Sequence, residues 1–443
     1  MSHETRQKGG AARRPFSLVA TRGVVLRGIA STVAVCSIAL GAMLASLQAN
    51  AGPTPPPAIE GTVRIATWNV SFFRRNEGDL LRELSNGESS QPRVVAAVLQ
   101  KIRPDLLLIN EFDYDPEAPG LFRKNYLEIS QRGGAPLSYP HFFIAPSNTG
   151  VPSGLDFDRD GKIGGGGDAL GFGVFPGQYG MLVLSKFPID RDATRTFRSF
   201  LWRDMPGAML PPGWYSDEAL AKLPLSSKSH WDVAIRLPTA ADGAPLTLHF
   251  LVSHPTPPGF DGPEDRNGRR NHDEIRLWAD YVDPTRADYL VDDAGRRGGL
   301  DARASFVVAG DLNADPLDGG SVSGAIAQLL DHPRVHRDTA LGSLAPRSLG
   351  ALEAATRQGG SNLTQRGDPA FDTGDFSDGP RSVGNLRVDY VLPSQDLEVC
   401  ASGVFWPRAE DAEFALVNDD AEQSSDHRLV WVDIALPGRR CPR

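Results

Sequence analysis

The sequence predicts an α/β domain. Two observations carry this reading. Short apolar runs of strand length alternate with segments of helical periodicity and with long loops. Four of the apolar runs end in polar groups: Ile65–Asn69, Leu106–Glu111, Phe306–Asn313 and, in reverse sense, Ser425–His427 before Leu429–Val432. A buried strand ending this way delivers amide, carboxylate or imidazole groups to the rim of a sheet, where α/β enzymes keep their chemistry.

In chain order, a first strand is expected from about Thr62 to Val70. Gln91–Arg103 reads as a helix, with Pro92 in its first turn and Val95, Val98, Leu99 and Ile102 on one face. The second strand is Leu106–Asn110, and Tyr179–Leu184 is a third, ended by Ser185-Lys186-Phe187-Pro188. Asp232–Leu237 and Leu246–Ser253 follow, with His254 closing the latter. Asn271–Val282 reads as a helix opened by an Asn271/Glu274 capping box, with Ile275, Trp278, Ala279 and Val282 buried. Phe306–Ala309, Val388–Leu392 and Leu429–Ile434 complete the strands. Loops rich in Gly, Asp and Pro cover 144–178, 203–230, 255–270 and 340–385. Loops of that length over a sheet core commonly carry function. No internal repeat interrupts the pattern, so one domain from 61 to 437 is expected.

Residues 1–51 read as an export signal. Arg6, Lys8, Arg13, Arg14, Arg22 and Arg27 precede an uncharged apolar stretch, Ile29–Leu47, and Ala49-Asn50-Ala51 is a small-x-small cleavage site. Cleavage is expected after Ala51, and an uncleaved anchor is the rival. Once cleaved, no stable membrane association is expected. Residues 52–60, with Pro53, Pro55, Pro56 and Pro57, read as a stiff linker. The chain has 46 basic and 55 acidic residues; removing six basic residues and Glu4 with the signal leaves a net charge of −14. An acidic surface does not attract nucleic acid in general, so a nuclease remains open but is not favoured. Of the three cysteines, Cys36 leaves with the signal, and Cys400 and Cys441 are expected to bridge in an oxidising compartment.

The motifs, taken in order, resemble the endonuclease/exonuclease/phosphatase superfamily of metal-dependent phosphoesterases. They are Thr67-Trp68-Asn69-Val70, Asn110-Glu111, Gly180–Ile189, Val252-Ser253-His254, Gly310-Asp311-Leu312-Asn313, Arg387-Val388-Asp389-Tyr390-Val391 and Ser425-Asp426-His427. Any one is common; seven in order are specific. The resemblance implies a four-layer sandwich, two mixed β-sheets face to face with helices outside and the site at one end.

It also implies roles. Glu111 is the principal ligand of a Mg²⁺ or Mn²⁺ ion, Asn69 supports the metal or the phosphate, and Asp426 is a second metal ligand or a water ligand. Asp311 orients or deprotonates the attacking water, and Asn313 holds a phosphoryl oxygen. His427 donates to the phosphate with Asp389 fixing its tautomer, and His254 acts as general acid.

Two segments lie outside that pattern. Arg266, Arg269 and Arg270 follow a proline run after His254, and an extended loop there could grip an anionic substrate. Asp156, Asp158 and Asp160 open a calcium-loop pattern whose twelfth position is Gly167, with Asp168 one place late. A structural Ca²⁺ there and an ordinary acidic turn are both open. The expectation is therefore an exported, monomeric phosphoesterase acting on a phosphate mono- or diester; a catalytically silent binding protein on the same fold is the alternative from another class.

Overall fold

The computed structural model describes residues 59–238, 246–417 and 424–441. The expected signal, and the linker up to residue 58, lie outside the described residues. Among the described residues, no helix is long and apolar enough to cross a membrane.

Among the described residues, eleven strands form two sheets. They are β1 (Thr62–Phe72), β2 (Leu106–Phe112), β3 (His141–Phe143), β4 (Met181–Ser185), β5 (Ile189–Thr196), β6 (His230–Leu237), β7 (Leu246–Ser253), β8 (Ser305–Asp311), β9 (Asp389–Pro393), β10 (Val399–Val404) and β11 (Val430–Ala435). The first sheet runs β10-β11-β1-β2-β4-β3, the second β5-β6-β7-β8-β9. Each is mixed: β1 pairs parallel with β2, and β7 with β8, among antiparallel neighbours. The longer helices are α1 (Asp79–Asn86), α2 (Ser90–Ile102), α3 (Arg266–Tyr281) and α4 (Leu349–Gln358). The fold is the four-layer sandwich that the motifs imply.

Side-chain alternation along the strands builds the layers. On β8, Val307 and Ala309 enter the core shared with β1, β2 and β11, whereas Phe306 and Val308 pack with Ile275 and Trp278 of α3. At β8 the second sheet is thus buried on both faces, which is why Phe306–Ala309 reads as a continuous apolar run. The first sheet is closed by a buried ion pair: the Arg64 guanidinium binds both Asp433 oxygens, at 2.7 and 2.8 Å, and lies over Trp431. Cys400 and Cys441 are bridged, which ties the C-terminal tail to β10 as expected.

One helix departs from expectation. α3 starts at Arg266, five residues before the expected Asn271, so Asn271 and Glu274 are not a capping box. Both are buried inside the helix and hold loops. Asn271 Nδ2 donates to Thr256 O and Leu312 O, and Glu274 accepts from Ser227 N and Thr256 N. The arginines are correspondingly on a helix and not on an extended loop.

Candidate active site

The two parallel pairs bring their strand ends to one edge of the sandwich. In the β1–β2 register Asn69 lies opposite Asn110, which places Glu111 beside it. In the second sheet Val252 lies opposite Ala309, so His254 and Asp311 emerge together.

Asn110 joins the two sheets: its Oδ1 accepts from Asp311 N at 3.2 Å, and its Nδ2 donates to Ser253 O at 3.4 Å. Gly310 is required at this junction, because a Cβ there would sit 2.1 Å from Ser253 O. Glu111 (φ 59°), next to last in β2, and Asn313 (φ 52°), just past β8, take the left-handed conformation. That region costs a non-glycine residue energy and clusters at functional sites.

Asp311 is the hub. Its Oδ2 accepts from Asn69 Nδ2 at 3.1 Å and faces His254 Nε2 at 3.3 Å and His427 Nε2 at 3.6 Å. Its Oδ1 accepts from Asn313 N. Burial alone would raise its pKa, but His427 and His254 outweigh burial and hold it well below the usual carboxylate range.

His427 is held on its other side. Its Nδ1 lies 2.9 Å from Asp389 Oδ2, which also accepts from Thr373 Oγ1 at 2.8 Å. Trp68 Nε1 binds the His427 carbonyl, and Ser425 Oγ, itself donating to Asn69 O, accepts from His427 N. Burial opposes the charged imidazole, yet Asp389 and Asp311 raise its pKa well above the ordinary value.

His254 differs. It is 2% exposed, and burial, with the Lys228 ammonium next, pushes its pKa down to about 4. Its Nε2 faces Asp311 Oδ2 at 3.3 Å, so the ring packs directly behind that carboxylate.

Glu111 opens onto the same space. Burial lifts its pKa to about 7; His427 and Asn69 pull it down, and Asp426 and Asp311 push it further up. Asp426 is exposed at the rim, accepting from Ser71 Oγ at 3.0 Å. Asp311, Asp389 and His427 present donor atoms within 4.8 Å of one another. Mutually repelling carboxylates around one opening, with an amide beside them, suit a hard divalent cation.

Sequence reasoning missed Lys228. It lies two residues before β6, and His230 of β6 pairs with Ser253, so Lys228 stands beside His254 at the site edge. It is 6% exposed, within the fields of Glu274, Glu111 and Asp311, and its ammonium makes no hydrogen bond or ion pair with a described residue. Burial lowers its pKa. No motif marks Lys228; its only signal is a cation between two serines just before an apolar run.

The arginine expectation is corrected. Arg270 is 8% exposed and donates to Leu225 O, Pro224 O and Leu170 O. Arg266 pairs with Glu264 and lies over Trp214, and Arg269 donates to Glu264 O. The calcium pattern is corrected in one ligand. Asp156, Asp158 and Asp168 bring carboxylate oxygens within 4.8 Å of one another, while Asp160 turns its Oδ1 to Lys162 N.

A sequence profile of the Endonuclease/Exonuclease/phosphatase family matches residues 66–427. The chain belongs to that family. The chain is also similar to several solved structures. An endonuclease/exonuclease/phosphatase from Beutenbergia cavernae is 18% identical, with 86% of this chain and 72% of that one covered and a TM-score of 0.46. Sphingomyelinase C from Streptomyces griseocarneus is 15% identical, with 84% and 99% covered and a TM-score of 0.40. Beta toxin from Staphylococcus aureus is 13% identical, with 84% and 99% covered and a TM-score of 0.41. No curated protein matches the sequence. Within the family frame, Asn69, Glu111, Asp311, Asn313, Asp389, Asp426 and His427 converge on one edge of the sandwich, with His254 behind Asp311.

Proposed function

We propose that this family member is an exported, divalent-metal-dependent phosphoesterase that hydrolyses a phosphate mono- or diester by attack of water. The observation that carries the reading is the line Asp389–His427–Asp311, with contacts of 2.9 and 3.6 Å, ending beside Asn69 and Glu111. Glu111, Asn69 and Asp426 would hold the cation; when bound, it neutralises phosphoryl charge and stabilises the leaving oxygen.

The chain's own groups have separate tasks. Asp311, kept anionic by two imidazoles, accepts a hydrogen bond from the attacking water and aligns it. His427, kept charged by Asp389, donates from Nε2 to a phosphoryl oxygen. Lys228 supplies a second cation to the same oxygens, and Asn313 an amide. The Cys400–Cys441 bridge supports an oxidising compartment and hence export. Against a silent binding protein stands the completeness of the set, held in geometry by Asn110, Thr373 and Trp68.

The test is hydrolysis of bis-p-nitrophenyl phosphate, p-nitrophenyl phosphate, plasmid DNA, RNA, phytate and sphingomyelin by the purified protein, with Mg²⁺, Mn²⁺ or Ca²⁺ and with chelator. Metal-dependent turnover of a phosphate ester supports the reading. Its absence throughout the panel contradicts it.

A further inference from the structure

Arg270 is taken up by loop carbonyls and Arg266 by Glu264, which leaves room for another element to recognise the part of the substrate beyond the phosphate. The rim beside Glu111 carries two aromatic rings. Phe73 follows β1, four residues after Asn69, and Tyr179 lies two residues before β4. Their ring centroids are 4.8 Å apart with an interplanar angle of 33°. Phe73 is 38% exposed, and Tyr179 is near enough to Glu111 and Asp113 that, after burial, their charges raise its phenol pKa.

The two rings are held together by built contacts. Asp113, two residues past Glu111 and itself buried, accepts from Arg74 N at 2.8 Å through one oxygen and from Tyr179 N at 3.0 Å through the other. Gln178 Nε2 donates to Arg74 O at 2.6 Å, and its Oε1 accepts from Val174 N. One carboxylate and one amide thus lock the Phe73 segment to the Tyr179 segment. Tyr179 is held at φ 56°, and Gly180 after it packs so tightly that a Cβ would lie 2.7 Å from Phe112 O. Val174, on the same clamp, is 63% exposed and extends the apolar rim.

We propose that Phe73 and Tyr179 form a stacking platform beside the phosphate site, and that the substrate is a phosphate ester bearing a planar aromatic group. This rests on the phosphoesterase reading and narrows it. A π-face offers sequence-tolerant stacking to a nucleobase or an aryl ring, but little to an inositol polyphosphate or a sugar phosphate. The acidic net charge favours the flat, uncharged group over a polyanion.

The experiment needs no turnover. Isothermal titration in Mg²⁺ compares thymidine 5′-monophosphate, phenylphosphonate and methylphosphonate on the wild type, Phe73→Ala and Phe73→Trp. The two aromatic ligands should bind the wild type about ten-fold or more tighter than methylphosphonate, in line with stacking free energies. Phe73→Ala should bring the ratio close to one, and Phe73→Trp should retain it. Tightening for thymidine monophosphate alone points to a nucleotide source, and tightening for both to any aryl ester. Equal binding of all three by the wild type, or an unchanged ratio in Phe73→Ala, overturns the platform alone. Failure of all three to bind overturns the phosphate site and the platform with it.

Discussion

His427 Nδ1 lies 2.9 Å from Asp389 Oδ2, and the pair is buried, with Thr373 the only other side-chain donor to that oxygen among the described residues. An acceptor on Nδ1 fixes the proton there and leaves Nε2–H directed at Asp311 and the open site. Replacing Asp389 by Asn presents an amide in the same place and removes the charge that keeps His427 protonated. Asp389→Asn should lower kcat by about a hundred-fold or more, the range for a lost acid–base partner. KM should change far less. A kcat within a factor of three of wild type would show that the pair only supports the fold.

Lys228 separates stability from activity. A largely buried side chain whose ammonium has no partner among the described residues is unfavourable in the free protein and is relieved when an anion arrives. Lys228→Met should therefore leave the melting temperature equal or higher. It should cut kcat/KM by roughly ten- to a hundred-fold, the equivalent of one charge-assisted contact of about 1.5–3 kcal/mol. A destabilised variant with normal kcat/KM would assign Lys228 to the fold.

His230 makes stability depend on pH. Its Nε2 donates to Glu274 O at 2.9 Å, and its Nδ1 lies 3.0 Å from Ser226 Oγ, which donates to the ring when it is neutral. Burial, partly offset by Glu274, lowers its pKa to about 4 from 6.5. Between those values the unfolded chain binds a proton that the folded chain does not, so stability falls as pH drops through this window. The full loss is roughly 3 kcal/mol. Urea midpoints at pH 7 and pH 4.5 should converge more in His230→Gln than in the wild type. Identical pH dependence in the two proteins removes His230 from the account.

The Cys400–Cys441 bridge closes a 41-residue separation that spans β10 and β11. A loop of that length stabilises by up to about 4 kcal/mol in the chain-entropy model. The double Ser variant should melt several degrees lower and hydrolyse substrate at the wild-type rate. No change in melting on reduction would show that the tail contributes nothing.

Much of this architecture was legible because the strands end in chemistry. β7 was readable to the residue, and β2 to within two, since largely apolar segments of strand length end at polar residues there. β5 was not, because Ile189–Thr196 is an edge strand of alternating charge, Asp-Arg-Asp, with one paired neighbour. The start of α3 was misjudged for a tertiary reason. Asn271 and Glu274 look like a cap by spacing, but their side chains reach across to loops that sequence proximity does not reveal. The same cause hid Lys228 and the Asp113 clamp: each derives its role from segments far away in the chain. In the acidic loop, the turn brings Asp168 rather than Asp160 to Asp156 and Asp158, a consequence of chain reversal through Gly161, Gly164 and Gly165, all at positive φ.

The central claim is that Glu111 holds the metal on which phosphoester hydrolysis depends. The most direct measurement is the Mg²⁺ and Mn²⁺ dependence of bis-p-nitrophenyl phosphate hydrolysis by wild type and Glu111→Gln, with folding of both checked by melting. The account predicts no turnover in chelator, saturable activation of the wild type by metal, and a Glu111→Gln rate lower by two or more orders of magnitude with a raised metal requirement. Wild-type activity in Glu111→Gln at equal metal, or full activity in chelator, would contradict it.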